Sequence, residues 1–109
     1  MIIDERTYTC HPGKAKAFLE VYERLGKPVQ WPIVGEPVGF FTTDTGTLSQ
    51  VVHMWKYENM ADREQRRLKL STAPGWSAYL EASLPLLSAL ENRILIPTSF
   101  SPLKGLSWQ

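Results

Sequence analysis

A second cysteine is missing. Cys10 stands alone among 109 residues, so no disulfide can form within the chain, and a reducing compartment, most simply the cytoplasm, is expected. Long apolar runs are missing too: nothing approaches the ~18 consecutive apolar residues of a membrane span. The opening "MIIDERTYTC" lacks the basic start and apolar stretch of a secretory leader. Charge of neither sign prevails, with twelve Lys and Arg against eleven Asp and Glu. No strong field then draws in nucleic acid or a membrane, and neither is expected as a partner. Histidine is scarce. Cys10, His11 and His53 are too few and too badly spaced for a structural zinc site. There is no glycine-rich phosphate loop, no G-x-S-x-G and no H-E-x-x-H. Neither a cofactor nor a metal is implied by any motif.

What is present is a single domain's worth of patterned chain, 1–109 with a turn-rich tail from about 98. Hydrophobic residues make up 43% and charged residues 21%, an ordinary globular balance. Residues 2–10 read as a strand stopped by "HPG" at 11–13. Ala15, Phe18, Leu19, Tyr22 and Leu25 form one apolar helical stripe, with Gly26 and Pro28 as its stop. The proline-rich "PVQWPIVGEP", 28–37, reads as an irregular connection. Residues 38–43 and 49–57 read as a hairpin around "DTGT", 44–47. Asn59 is a good N-cap for "MADREQRRLKL", which breaks near "TAPG", 72–75. Trp76, Tyr79, Leu80, Leu84, Leu87 and Leu90 keep helical spacing, with Pro85 as a kink or a restart. "NRILIP", 92–97, is the last strand. The tail holds Phe100, Leu103 and Trp108, and part of it is expected to dock.

The order β-α-β-β-α-β is the ferredoxin-like α+β arrangement, with helices on one face of a four-stranded antiparallel sheet. In 49–57, Val51, His53, Trp55 and Tyr57 share one face, and Gln50, Val52, Met54 and Lys56 the other. Phe40 and Phe41 also fall on opposite faces. Both faces therefore carry large apolar groups, and helices can cover only one. A second copy packed sheet to sheet is the expected cover, giving a homodimer or a higher oligomer.

"ERTYT…HPGK", "GFFTTDTGTLSQVVHMWKYENMADREQRR" and "PLLSALENRILIPTSFSP" resemble the NIPSNAP family over nearly the whole chain, most specifically across 39–67. The resemblance implies a ferredoxin-like subunit dimerising into an α/β barrel, an architecture shared with antibiotic-biosynthesis monooxygenases. It assigns no reaction. Glu5 departs from the apolar residue expected in openings like E-L-R-T-Y-T.

His53 is the first candidate for a catalytic group, since an ordinary imidazole titrates near neutrality. Its other reading is a buried neutral ring hydrogen-bonded in a dimer core. Arg6 and Tyr8 share a strand face, where Arg6 could hold a carboxylate or enolate and Tyr8 could donate a hydrogen bond. The competing reading pairs Arg6 with Asp4 or Glu91. Trp55, Phe40, Phe41 and Arg93 are the candidate ligand contacts. Arg63, Arg66, Arg67 and Lys69 read as a basic patch or a solvated helix face. Two functions follow. One is a pocket for a small hydrophobic, aromatic or carbonyl compound, with cofactor-independent oxygenase or isomerase chemistry. The other is a scaffold dimer with a packed interior. Haem enters only by analogy of architecture. A cavity of ~300 Å³ or more separates the first reading from the second.

Overall fold

The computed structural model describes residues 1–103; Trp108, and with it half of the tail expected to dock, lies outside them. Four strands, β1 (Ile2–Cys10), β2 (Gly39–Thr42), β3 (Gln50–Tyr57) and β4 (Leu87–Leu95), pair antiparallel in the order β2-β3-β1-β4. Helices α1 (Ala15–Val21), α2 (Lys27–Val34), α3 (Met60–Ser71) and α4 (Trp76–Ser83) complete the ferredoxin-like α+β fold. Asn59 caps α3 as its residue type suggests, its Oδ1 accepting the Asp62 N–H at 2.8 Å.

The alternation of β3 decides which face is covered. Val51, His53, Trp55 and Tyr57 are all buried, whereas Gln50, Val52, Met54 and Lys56 are half-exposed. The buried set packs under the chain's own helices in two clusters. One joins Val51 to Phe18, Tyr22 and Tyr79; the other joins Trp55 and Tyr57 to Val34 and Leu70. Each large side chain buried there contributes roughly 1.5–3 kcal/mol. The expectation that the His53 face needs a partner subunit is therefore corrected: α-helices of the same chain cover it. The face left open carries Phe41, Val52 and Met54 instead.

Three other expectations change. Residues 28–37 are not an irregular connection, because the helix of α1 continues through a π turn (Tyr22–Gly26) into α2. Pro28 follows directly on the π turn and Pro32 lies further on, and the helix runs through both. Gly26 is not a stop but a close approach: a Cβ there would lie 2.8 Å from Cε1 of Tyr79 and 2.9 Å from the Tyr22 ring. The helix ends at Gly35, whose φ of 99° suits glycine. At the other end, α4 stops at Ser83, and a 3₁₀ turn (Leu84–Leu86) leads into β4. The leucines at 84, 87 and 90 fit helical spacing, but Leu87 and Leu90 belong to a strand paired with Cys10 and Tyr8 of β1. In the described part of the tail, Phe100 is exposed and Leu103 borders a cleft.

Candidate functional site

Strand register brings the main candidates onto one face. Arg6 lies directly opposite His53, Tyr8 opposite Val51, and Phe40 opposite His53 from the other side. Between this face and the helices lies a cavity of about 350 Å³, lined by Arg6, Tyr8, Phe40 and His53 from the sheet. Tyr22, Gln30, Arg67, Trp76 and Tyr79 line it from the helical layer. Phe41 and Arg93 do not join them. Phe41 pairs opposite Val52 and is 53% exposed. Arg93 pairs opposite Glu5 on the open face, and its Nε donates to Glu5 Oε1 at 2.6 Å. Both are corrections to the expected ligand contacts, and both follow from the two-residue period of a strand.

His53 is held in one protonation state. The Trp55 indole N–H, which can only donate, bonds His53 Nδ1 at 2.6 Å. Nδ1 must then present a lone pair, and the ring proton belongs on Nε2. Burial, aided by the charge of Arg6 and opposed by Asp4, pushes the His53 pKa down from 6.5 to about 3. The imidazole is neutral near neutral pH. Phe40 stacks on it at 4.7 Å and Tyr8 meets it edge-on at 4.6 Å. Nε2 is buried and has no hydrogen-bond partner among the described residues. A donor left so costs about 1–3 kcal/mol. Trp55 itself does not line the cavity; it acts on the cavity through His53. The buried-neutral reading of His53 holds for its charge, but the ring sits at an intrachain cavity and not in a dimer core.

Beneath Arg6 lies Asp4, fully buried on the same face. It accepts from Arg6 Nη1 at 3.2 Å, from Arg63 Nε at 3.1 Å and from Asn92 Nδ2 at 3.0 Å. Burial alone would raise the carboxyl pKa; Asn92, Arg6 and Arg63 together outweigh it and hold it below its ordinary value. Arg6 Nε also donates to the Tyr8 hydroxyl at 3.0 Å. The Asp4–Arg6 pair anticipated as an edge contact is real, but it is buried on the central strand. Tyr22, on the π turn, donates to Gln30 Oε1 at 2.6 Å and accepts from the Trp31 indole at 3.0 Å.

Asp4 and Gln30 were not named as site residues, and Arg67 only as one member of a basic patch. Asp4 could have been found, since it has the parity of Arg6 and Tyr8 along the strand. The basic run of α3 is divided by the fold: Arg63 serves Asp4, Arg66 pairs with Asp62 and the Val34 carbonyl, and Arg67 faces the cavity. A shallower cleft of about 670 Å³ runs past Val34, Val38, Glu58 and Leu103. Its polar groups are largely engaged within the chain, Arg66 with Asp62 and Asp62 with the Glu58 N–H. The smaller cavity is the better site because two groups that line it, His53 through Nε2 and Arg67, have no hydrogen-bond partner among the described residues.

Comparison with known proteins places this geometry among close relatives. The NIPSNAP family model matches residues 3–102. A crystal structure of a NIPSNAP family protein from Agrobacterium tumefaciens is 44% identical, covers 94% of this chain and 97% of its own, and superposes with a TM-score of 0.90. Protein NipSnap homolog 2 of Homo sapiens is 31% identical over 94% of this chain but only 35% of its own length. The chain spans well under half the length of the curated relatives it matches. A candidate antibiotic biosynthesis monooxygenase from Nitrosomonas europaea, with coverage of 88% and 97%, shares the fold at a TM-score of 0.64 and 10% identity. Among the described residues, no helix is long and apolar enough to cross a membrane.

Proposed function

The chain belongs to the NIPSNAP family, and from that premise we propose that it binds a small aromatic or carbonyl compound in the cavity between sheet and helices. The observation that carries this reading is the buried Nε2–H of His53, without a protein partner beside a cavity of about 350 Å³. That volume lies within the range of ligand sites and is unlike a close-packed interior, which disfavours the scaffold reading. Tyr22, Phe40, Trp76 and Tyr79 supply aromatic walls. His53 Nε2–H and the Tyr8 hydroxyl supply donors for a carbonyl oxygen.

Such donors also stabilise negative charge that develops on that oxygen. This suits oxygenase or isomerase chemistry on a substrate that forms its own carbanion. His53 is then an oxyanion donor and not the base, because the nitrogen left for a ligand already carries the proton. The test is titration with 2-naphthamide. A ligand of about thirteen heavy atoms gaining roughly 0.3 kcal/mol per atom binds at millimolar or tighter. Saturable binding, lost when Leu80→Trp fills the cavity, is the expected result; absence of saturable binding in the wild type sinks the reading.

The open face of the sheet supports a homodimer. Phe41, Val52 and Met54 form an apolar strip on strands β2 and β3, flanked by the Arg93–Glu5 pair. A second copy packed on this strip would bury it by twofold symmetry. Sedimentation at micromolar concentration is expected to give twice the mass of the chain. A monomer at that concentration contradicts the dimer while leaving the intrachain cavity intact.

A further inference from the structure

The hydrogen-bond capacity around the cavity is one-sided. Hydroxyls of Ser71, Tyr79 and Ser83 apart, its acceptors are spent within the chain. His53 Nδ1 takes the Trp55 indole, Gln30 Oε1 takes the Tyr22 hydroxyl, Tyr22 Oη takes the Trp31 indole, and Tyr8 Oη takes Arg6 Nε. The donors are not spent. His53 Nε2–H, the Tyr8 O–H and the Gln30 amide have no acceptor among the described residues. A ligand that fits this surface accepts hydrogen bonds.

The charges are one-sided as well. No Asp or Glu lines the cavity, whereas Arg6 and Arg67 both do. Asp4, behind Arg6, is the carboxylate nearest this cluster, and it already serves Arg6 and Arg63. One carboxylate thus serves two of three guanidiniums. Arg67 is the one left over: half-buried on α3, it makes no ion pair or hydrogen bond among the described residues. Burial, and then the cations of Arg6 and Arg63, lower its pKa, with Tyr57 and Asp4 opposing. A partly desolvated cation pressed against two others is a cost unless an anion joins them.

We propose that the cavity takes a compound with an aromatic or apolar body and one carboxylate-type anionic group, and that Arg67 is the residue that meets the anion. This rests on the pocket reading above and narrows it to acids. The aromatic walls receive the body, and His53 Nε2–H and the Tyr8 hydroxyl receive a second oxygen. A guanidinium is the side chain best matched to a planar carboxylate, through two parallel N–H bonds.

The probes are 2-naphthoate and 2-naphthamide, which share shape and differ in charge. In the wild type the acid is expected to bind about tenfold to a hundredfold more tightly than the amide, the worth of one charge-assisted hydrogen bond. Arg67→Met collapses that ratio toward one, Arg67→Lys keeps part of it, and Lys69→Met, an exposed charge on the same helix, keeps it whole. Equal binding of acid and amide in the wild type overturns the proposal and leaves the pocket reading standing. So does a full preference retained in Arg67→Met. If neither probe binds, the pocket reading falls and this proposal falls with it.

Discussion

Replacement of Asp4 by alanine is expected to remove about 3–5 kcal/mol from the free energy of unfolding. The carboxylate is fully buried and holds Arg6, Arg63 and Asn92 from three elements: its own strand, α3 and β4. Removing it leaves two largely buried guanidiniums facing each other without an anion. Against a domain stability of about 5–15 kcal/mol, such a loss brings the protein close to unfolding at room temperature. Urea unfolding of the variant checks it, and a loss below about 1 kcal/mol would show that water compensates the cations. The same group sets an acid limit. A carboxyl held below its ordinary pKa stabilises the fold at pH values above the unfolded pKa of 3.8. That contribution is lost as pH falls through the lower, folded value. The pH dependence that Asp4 confers is therefore confined to below about pH 4.

Above that limit His53 governs the pH dependence. Its folded pKa is about 3, against 6.5 unfolded. Between these values the unfolded chain binds a proton that the folded chain refuses, so stability falls as pH falls. The slope is about 1.4 kcal/mol per pH unit, which gives a loss of roughly 2–3 kcal/mol between pH 6.5 and 4.5. His53→Asn keeps an acceptor near the position of Nδ1 for the Trp55 indole but cannot titrate. Its stability is expected to change much less across that window. Parallel pH profiles of the two proteins would contradict the assignment.

Much of this was legible because strand parity is strict. The alternation of 49–57 put His53 and Trp55 together, and that of 2–10 put Arg6 with Tyr8. It could equally have placed Asp4 with them. What parity cannot give is which face the helices choose, or which residue of one strand lies opposite which residue of the next. That is why Phe41 and Arg93 were grouped with a site on the other side of the sheet, and why a dimer core was one reading of His53. The misread helix ends have local causes. Pro28 follows a π turn in a helix that runs on past it, so it marked a change of winding and not an end. Gly26 reflects the approach of Tyr79, a contact between residues far apart in the chain. Leu87 and Leu90 keep helical spacing, and only pairing with β1, with its register shift at Thr9/Cys10, settles them as strand. Arg67 was hidden for a different reason. In a helix carrying four cations, only the tertiary fold tells which one faces a cavity without a carboxylate.

The central claim is that His53 offers a neutral Nε2–H to the cavity. Nitrogen-15 NMR of the ring tests it most directly, recorded from pH 8 to pH 4.5 and again with 2-naphthoate. The result expected is a bare Nδ1 and a protonated Nε2 throughout, with the Nε2–H resonance shifting when the acid is added. A ring that titrates near pH 6.5, or one that carries its proton on Nδ1, would contradict the account.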